Sequence, residues 1–212
     1  MPNRSFGTGS VRSPKRIPQA AQRELLISFT SCFGVMDRSA VYVSTPITTG
    51  PHFADWFPVQ RDRGTPDYQR RLRDEIIGPN LVRAQPLVAA CRDRWPSRTV
   101  IDPTGLGEVP GWAQDDYHLF WCQVIQQCSS TVVLAEGWQF SSGCALEFAA
   151  ACVADCQILD TGFVLFTAAQ GVALLTGAAD RLAGVGASDT LLRLAITRCE
   201  ADPDGASQQG RP

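Results

Sequence analysis

An excess of charge of either sign is missing from this chain of 212 residues, where 19 Lys and Arg face 21 Asp and Glu for a net charge of −2. Bulk electrostatics therefore give no reason to expect a nucleic-acid partner. Histidine is scarce, with two residues, and none of the eight cysteines forms a C-x-x-C pair. Cys152 and Cys156 share a helix face, but no second pair matches them. The cysteines read as buried, reduced core residues; no metal site is expected. The start lacks an apolar core followed by a small-residue cleavage site, so the expected setting is reducing and cytoplasmic. Long apolar runs are scarce too. One uncharged stretch, "TGFVLFTAAQGVALLTGAA" (161–179), holds Gln170, three Thr and three Gly. It reads as a buried strand followed by a core helix, with no membrane span.

What is present fits one globular domain of ordinary size, with 44% hydrophobic and 19% charged residues. Residues 1–35 carry five basic groups and one acid, and no periodicity. They read as a disordered or dispensable extension, with Met36 standing just before the first convincing strand. Their acid-poor composition also matches an organellar transit peptide. The domain is expected over 36–200, and 201–212 as a flexible tail.

Along the domain, "AVYVSTPI" (40–47) is an apolar, β-branched strand ended by Pro46. The loop "TTGPHFADWFPVQRDRGTP" (48–66) is too long for a simple strand-to-helix turn. Residues 67–95 have helical spacing interrupted at Gly78-Pro79 and strained at Pro86, which predicts two helices. "RRLRDE" (70–75) reads as a solvated face with local ion pairs. Further strands are expected at 98–103, 130–135 and 157–161, with "FVLF" (163–166) either continuing the last or forming a fifth. Helices are expected from about Trp112 to Cys128, then at 142–155, 168–184 and 188–200. Strands alternating with helices predict a doubly wound parallel sheet of four or five strands with helices on both faces. Ligands in such sheets bind outside the strand carboxyl ends, where the strand order reverses. The loops after the first and third strands should share that crevice.

"EGWQFSSGCALEFAAA" (136–151) is the most informative stretch. Ser141 or Ser142 can cap the following helix, and Gly143 admits close backbone approach. The helix start is a ready anion site. Glu147 follows by four or five residues, a rise of ~6–7 Å, among Ala, Leu and Phe, where packing alone would not select a carboxylate. A bland reading remains, with serines that only cap and a Glu147 that is partly exposed.

"VYVSTPITTG" followed by "STVVLAEGWQFSSGCALEFAAA" resembles the nucleoside 2-deoxyribosyltransferase-like superfamily. It looks closest to the branch called domain of unknown function 4406, with its signature GW, S-x-G and a Glu four residues later. The resemblance spans roughly residues 40–160. It implies a flavodoxin-like fold, no cofactor, and a nucleophilic Glu, matched by Glu147, that attacks the anomeric carbon of a ribose or deoxyribose and releases the base. Ser141 matches a position that is Ser in the related nucleoside 5′-monophosphate glycosidases, which implies a phosphorylated substrate. Thr45, Pro46, Ile47, Trp138, Ser142, Gly143 and Asp116 are carried along as substrate-binding candidates. Three departures stand out: Thr45 where the family has Gly, Cys122 where it has an Asp before the third strand, and Ser130 where Asp is common.

The expected function is thus an N-glycosidase or deoxyribosyltransferase acting on a nucleoside 5′-monophosphate or related nucleotide. The competing expectation is a non-catalytic nucleotide-sensing module, in which a buried Glu147 is held near neutrality or paired with Tyr42. A homodimer or larger homo-oligomer is expected. His52 and His118 are open between proton transfer and structural roles. Phe53, Trp56 and Phe57 are open between base stacking and a satellite core, and Trp138 between walling a sugar pocket and sealing the sheet end.

Overall fold

A computed structural model describes residues 24–28, 30, 38–60, 62–107 and 109–201. The expectations for residues 1–23, for Met36 and for the tail after Ala201 lie outside the described residues.

Strand β1 (Ala40–Ser44) is buried along its whole length. An entirely apolar run is what a strand covered on both faces requires. The chain then leaves the sheet through the long loop and enters Pro66–Arg71, whose start is capped by the Thr65 hydroxyl accepting from the Tyr68 N–H. The two expected helices are one continuous rod. A π-helical turn, Leu72–Ile77, joins Pro66–Arg71 to α1 (Gly78–Arg94), and Gly78 N–H donates to the Arg73 carbonyl five residues back. The wider turn accommodates Pro79, which has no N–H and would crowd the carbonyl four residues earlier in an α-helix.

Strand β2 (Val100–Ile101), α2 (Gln114–Cys128), β3 (Ser129–Leu134), α3 (Ser142–Val153) and β4 (Gln157–Leu159) follow, then α4 (Ala168–Gly184) and α5 (Thr190–Glu200). The sheet has four strands, all parallel, in the order β2-β1-β3-β4. This is the flavodoxin-like doubly wound arrangement. The steps β1→β2 and β2→β3 run in opposite directions across the sheet. Right-handed crossovers therefore send α1 to one face, and α2 and α3 to the other. Val41, Val43, Val133 and Leu159 meet Val88 and Cys91 on the α1 side. Tyr42, Val132, Leu134 and Ile158 face the larger cluster built with α2, α3, α4 and α5. Each fully buried Val, Leu or Ile contributes on the order of 1.5–3 kcal/mol.

The run 163–166 does not form a fifth strand. After β4 the chain turns at Asp160, whose carboxylate accepts from Gly162 N–H and Val164 N–H (both 2.9 Å), with Phe163 at φ 60°. It then folds back as an antiparallel bridge, Leu159 to Leu165, with Phe166 N–H donating to Ile158 O at 2.8 Å. Residues 24–28 are helical, and Leu26, 4% exposed, belongs to the larger core. That part of the N-terminal extension is packed on the domain. Among the described residues no helix is long and apolar enough to cross a membrane.

Candidate functional site

The strand order reverses between β1 and β3, and the carboxyl ends of these neighbours hold the expected residues. Residues 42 and 44 alternate onto the face that α3 covers. Helix α3 begins at the same edge, capped by Ser141, whose Oγ accepts from Cys144 N–H at 3.4 Å. Two turns of α3 later, Glu147 points back to the sheet. The Tyr42 hydroxyl donates to its Oε1 at 2.8 Å, and the Ser44 hydroxyl donates to its Oε2 at 2.7 Å. Glu147 is 7% exposed, and Tyr42 and Ser44 are fully buried. Helix α3 is buried on nearly every side because α2, α5 and the sheet all pack against it.

Burial raises the Glu147 pKa to about 7, and the bonds from Ser44 and Tyr42 pull it back only in part. Burial, with the Glu147 charge beside it, pushes Tyr42 well above its ordinary value, so Tyr42 remains the donor. Helix α2 brings Cys122 toward this carboxylate. Cys122 Sγ lies 3.6 Å from the Leu146 carbonyl oxygen, and its thiol is pushed up to about 12 by burial and then by Glu147.

The loop after β1 folds over the site. Thr45 and Pro46 are buried, and the Thr45 hydroxyl has no hydrogen-bond partner among the described residues. Ile47 is half-buried, and its carbonyl accepts from the Asn80 amide at 3.1 Å. The same amide holds the Thr49 carbonyl at 2.5 Å. Gly137, at φ 74°, lies so close to Pro51 that a Cβ there would sit 2.5 Å from the proline ring. The loops after β1 and β3 thus meet, as the strand-end argument expects. Ser142 and Gly143 are half-buried at the α3 start. His118 of α2 stands against Gly143, with both Cδ2 and Nε2 3.7 Å from the place a Cβ would occupy.

Three candidates are engaged in packing or capping. Trp138 is buried with its ring on Phe148 (4.8 Å between centroids) and edge-on to Phe166 at the end of the sheet. Asp116 is buried at the start of α2 and accepts from Ala113 N–H at 2.9 Å, a helix-capping bond. Phe53 stacks on Trp56 and Phe57, and Trp56 on Tyr68, as a satellite core. Outside the β3 and β4 ends lies a cleft of about 190 Å³ lined by Leu134, Gly137, Trp138, Asp160, Phe166 and Leu174. Glu147 lies outside it. Sequence reasoning missed Ser44 and Asn80; the only signal for Ser44 was a second hydroxyl two residues after Tyr42 on an otherwise apolar strand.

Fold and site define a class: a parallel α/β domain with a buried carboxylate, Glu147, held by two hydroxyls at the strand-order reversal. Comparison with protein-family models, curated proteins and solved structures gives no match.

Proposed function

We propose that the protein cleaves the base–sugar bond of a nucleoside 5′-monophosphate or related nucleotide, as an N-glycosidase or deoxyribosyltransferase with Glu147 as nucleophile. The observation that carries this reading is the Glu147 carboxylate, held by the Tyr42 and Ser44 hydroxyls beside the α3 amino end. An oxygen of Glu147 bonds the anomeric carbon while the carbon–nitrogen bond breaks toward the departing base, the logic of retaining glycosidases. The free N–H groups at Ser142 and Gly143, with their positive dipole end, suit the phosphate. Assembly as a homodimer is part of the proposal.

A second reading, a nucleotide-sensing module, is favoured by a specific observation: α2 sets Cys122 beside Glu147, and Asp116 is used as a cap. The test is incubation with ribo- and deoxyribonucleoside 5′-monophosphates and the corresponding nucleosides, followed by chromatography for free base. Base release is expected from at least one monophosphate, rising as pH increases through about 7, where Glu147 ionises. Glu147→Gln is expected to abolish release while leaving nucleotide affinity within about tenfold, roughly 1.4 kcal/mol. Binding without release by the wild-type protein would select the sensing module.

A further inference from the structure

Helices α2 and α3 each return from the end of one parallel strand to the start of the next. They therefore run parallel to one another, with both amino ends at the carboxyl edge of the sheet. Their contacts pair off rung by rung. Cys122 meets Leu146, next to Glu147. One turn closer to the edge, His118 meets Gly143. Four residues separate the members of each pair, His118 from Cys122 and Gly143 from Glu147, a rise of ~6 Å. His118 is consequently a titratable side chain of α2 one turn nearer the carboxyl edge of the sheet than Cys122, against the start of α3. It is half-buried, between the exposed Gln114 and a glycine whose missing side chain leaves the imidazole facing the α3 start.

His118 Nε2 lies 3.1 Å from the Gln114 side-chain amide nitrogen; with that amide donating, Nε2 is the accepting nitrogen of a neutral ring. Burial lowers the His118 pKa against a smaller opposing pull from Asp115 on the same helix, consistent with a neutral ring at pH 7. Gln114 is exposed, so a water molecule can take its place on Nε2. A neutral imidazole is the wrong state for protonating a departing base and the right one for accepting a proton.

We propose that His118 is the general base of this site, accepting a proton from the water that frees the sugar from Glu147, so that the reaction ends in hydrolysis. This rests on the proposed transfer of the glycosyl group to Glu147. In the step, a water O–H bond breaks and the proton passes to His118 Nε2. The water oxygen bonds the anomeric carbon as the bond to the Glu147 oxygen breaks, and that electron pair returns to the carboxylate. The imidazolium then releases its proton to solvent.

The test follows base release by full-length protein from the four 2′-deoxynucleoside and four ribonucleoside 5′-monophosphates, in pre-steady-state and steady-state regimes. His118→Ala and His118→Asn are compared with wild type, with folding checked by melting temperature. Each variant is expected to release one equivalent of base in a burst, then turn over about 100-fold or more slower. Intact mass should show a phosphorylated-sugar adduct mapping to Glu147. Sodium azide, a nucleophile that needs no deprotonation, should restore turnover in His118→Ala and yield a glycosyl azide, with no such effect on wild type. Turnover within threefold of wild type, a burst lost together with turnover, or indifference to azide would each overturn the assignment. Absence of base release by the wild-type protein overturns the glycosidase reading itself, and this inference with it.

Discussion

Glu147 shows what a single residue can impose on the energetics around it. The Tyr42 and Ser44 hydroxyls occupy both oxygens, yet the carboxyl still titrates near 7 because burial penalises its charge more than two neutral donors compensate. The sign for stability follows. The folded pKa, about 7, exceeds the ordinary value of 4.5, so between these limits the folded state holds a proton that the unfolded chain gives up. Stability is greatest below about 4.5 and falls as pH rises through about 7, by about 3 kcal/mol at 1.36 kcal/mol per pKa unit. Glu147→Gln removes that dependence. Denaturant unfolding of both proteins at pH 4.5 and pH 8 should show wild type losing about 3 kcal/mol relative to the variant; parallel behaviour would refute the buried-charge account. Glu147 was legible in the sequence because a carboxylate in an alanine-rich helix start conflicts with packing. Ser44 was not, since a lone serine at a strand end is commonplace, and its partner is 103 residues away.

Between elements, α4 meets α3 at a glycine. A Cβ on Gly171 would lie 2.0 Å from the tip of the Phe148 ring, which is itself fully buried. Gly177, six residues along the same helix, has nothing within 4 Å of its Cβ position. The two glycines should therefore respond in opposite directions. Gly171→Ala forces α4 off α3, with a cost of about 1–3 kcal/mol or more; Gly177→Ala gains helix propensity, up to about 1 kcal/mol. Thermal unfolding of the pair checks this, and equal shifts would mean that the α3–α4 approach is looser than described. At this scale the sequence was most readable where burial on both faces left short apolar, β-branched runs, as at 40–43 in β1 and 132–134 in β3. The 163–166 run misled for a physical reason: it is apolar, but the Asp160 carboxylate holds the preceding backbone in a turn. The Gly78-Pro79 pair misled as well, because a π-helical turn absorbs a proline that an α-helix would not.

For the whole molecule, the core reaches back before the first strand. Leu26 is 4% exposed in the cluster that contains Ile101 and Phe120. A chain started at Met36 is expected to lose about 2 kcal/mol from that side chain alone, lowering the melting temperature by about 4–8 °C for a domain of this size. An unchanged melting temperature would mean that Leu26 contributes nothing. The fold-back after β4 has a consequence for how copies of this chain can meet. A sheet grows by recruiting foreign strands along any row of unpaired backbone donors and acceptors. Here one outer strand, β2, is two residues long, and the other, β4, is bridged by its own following segment at Leu165 and Phe166. Neither margin offers a template of useful length. Native copies crowded together must associate through helices and loops, and edge-to-edge aggregation has to wait until the 160–166 turn opens.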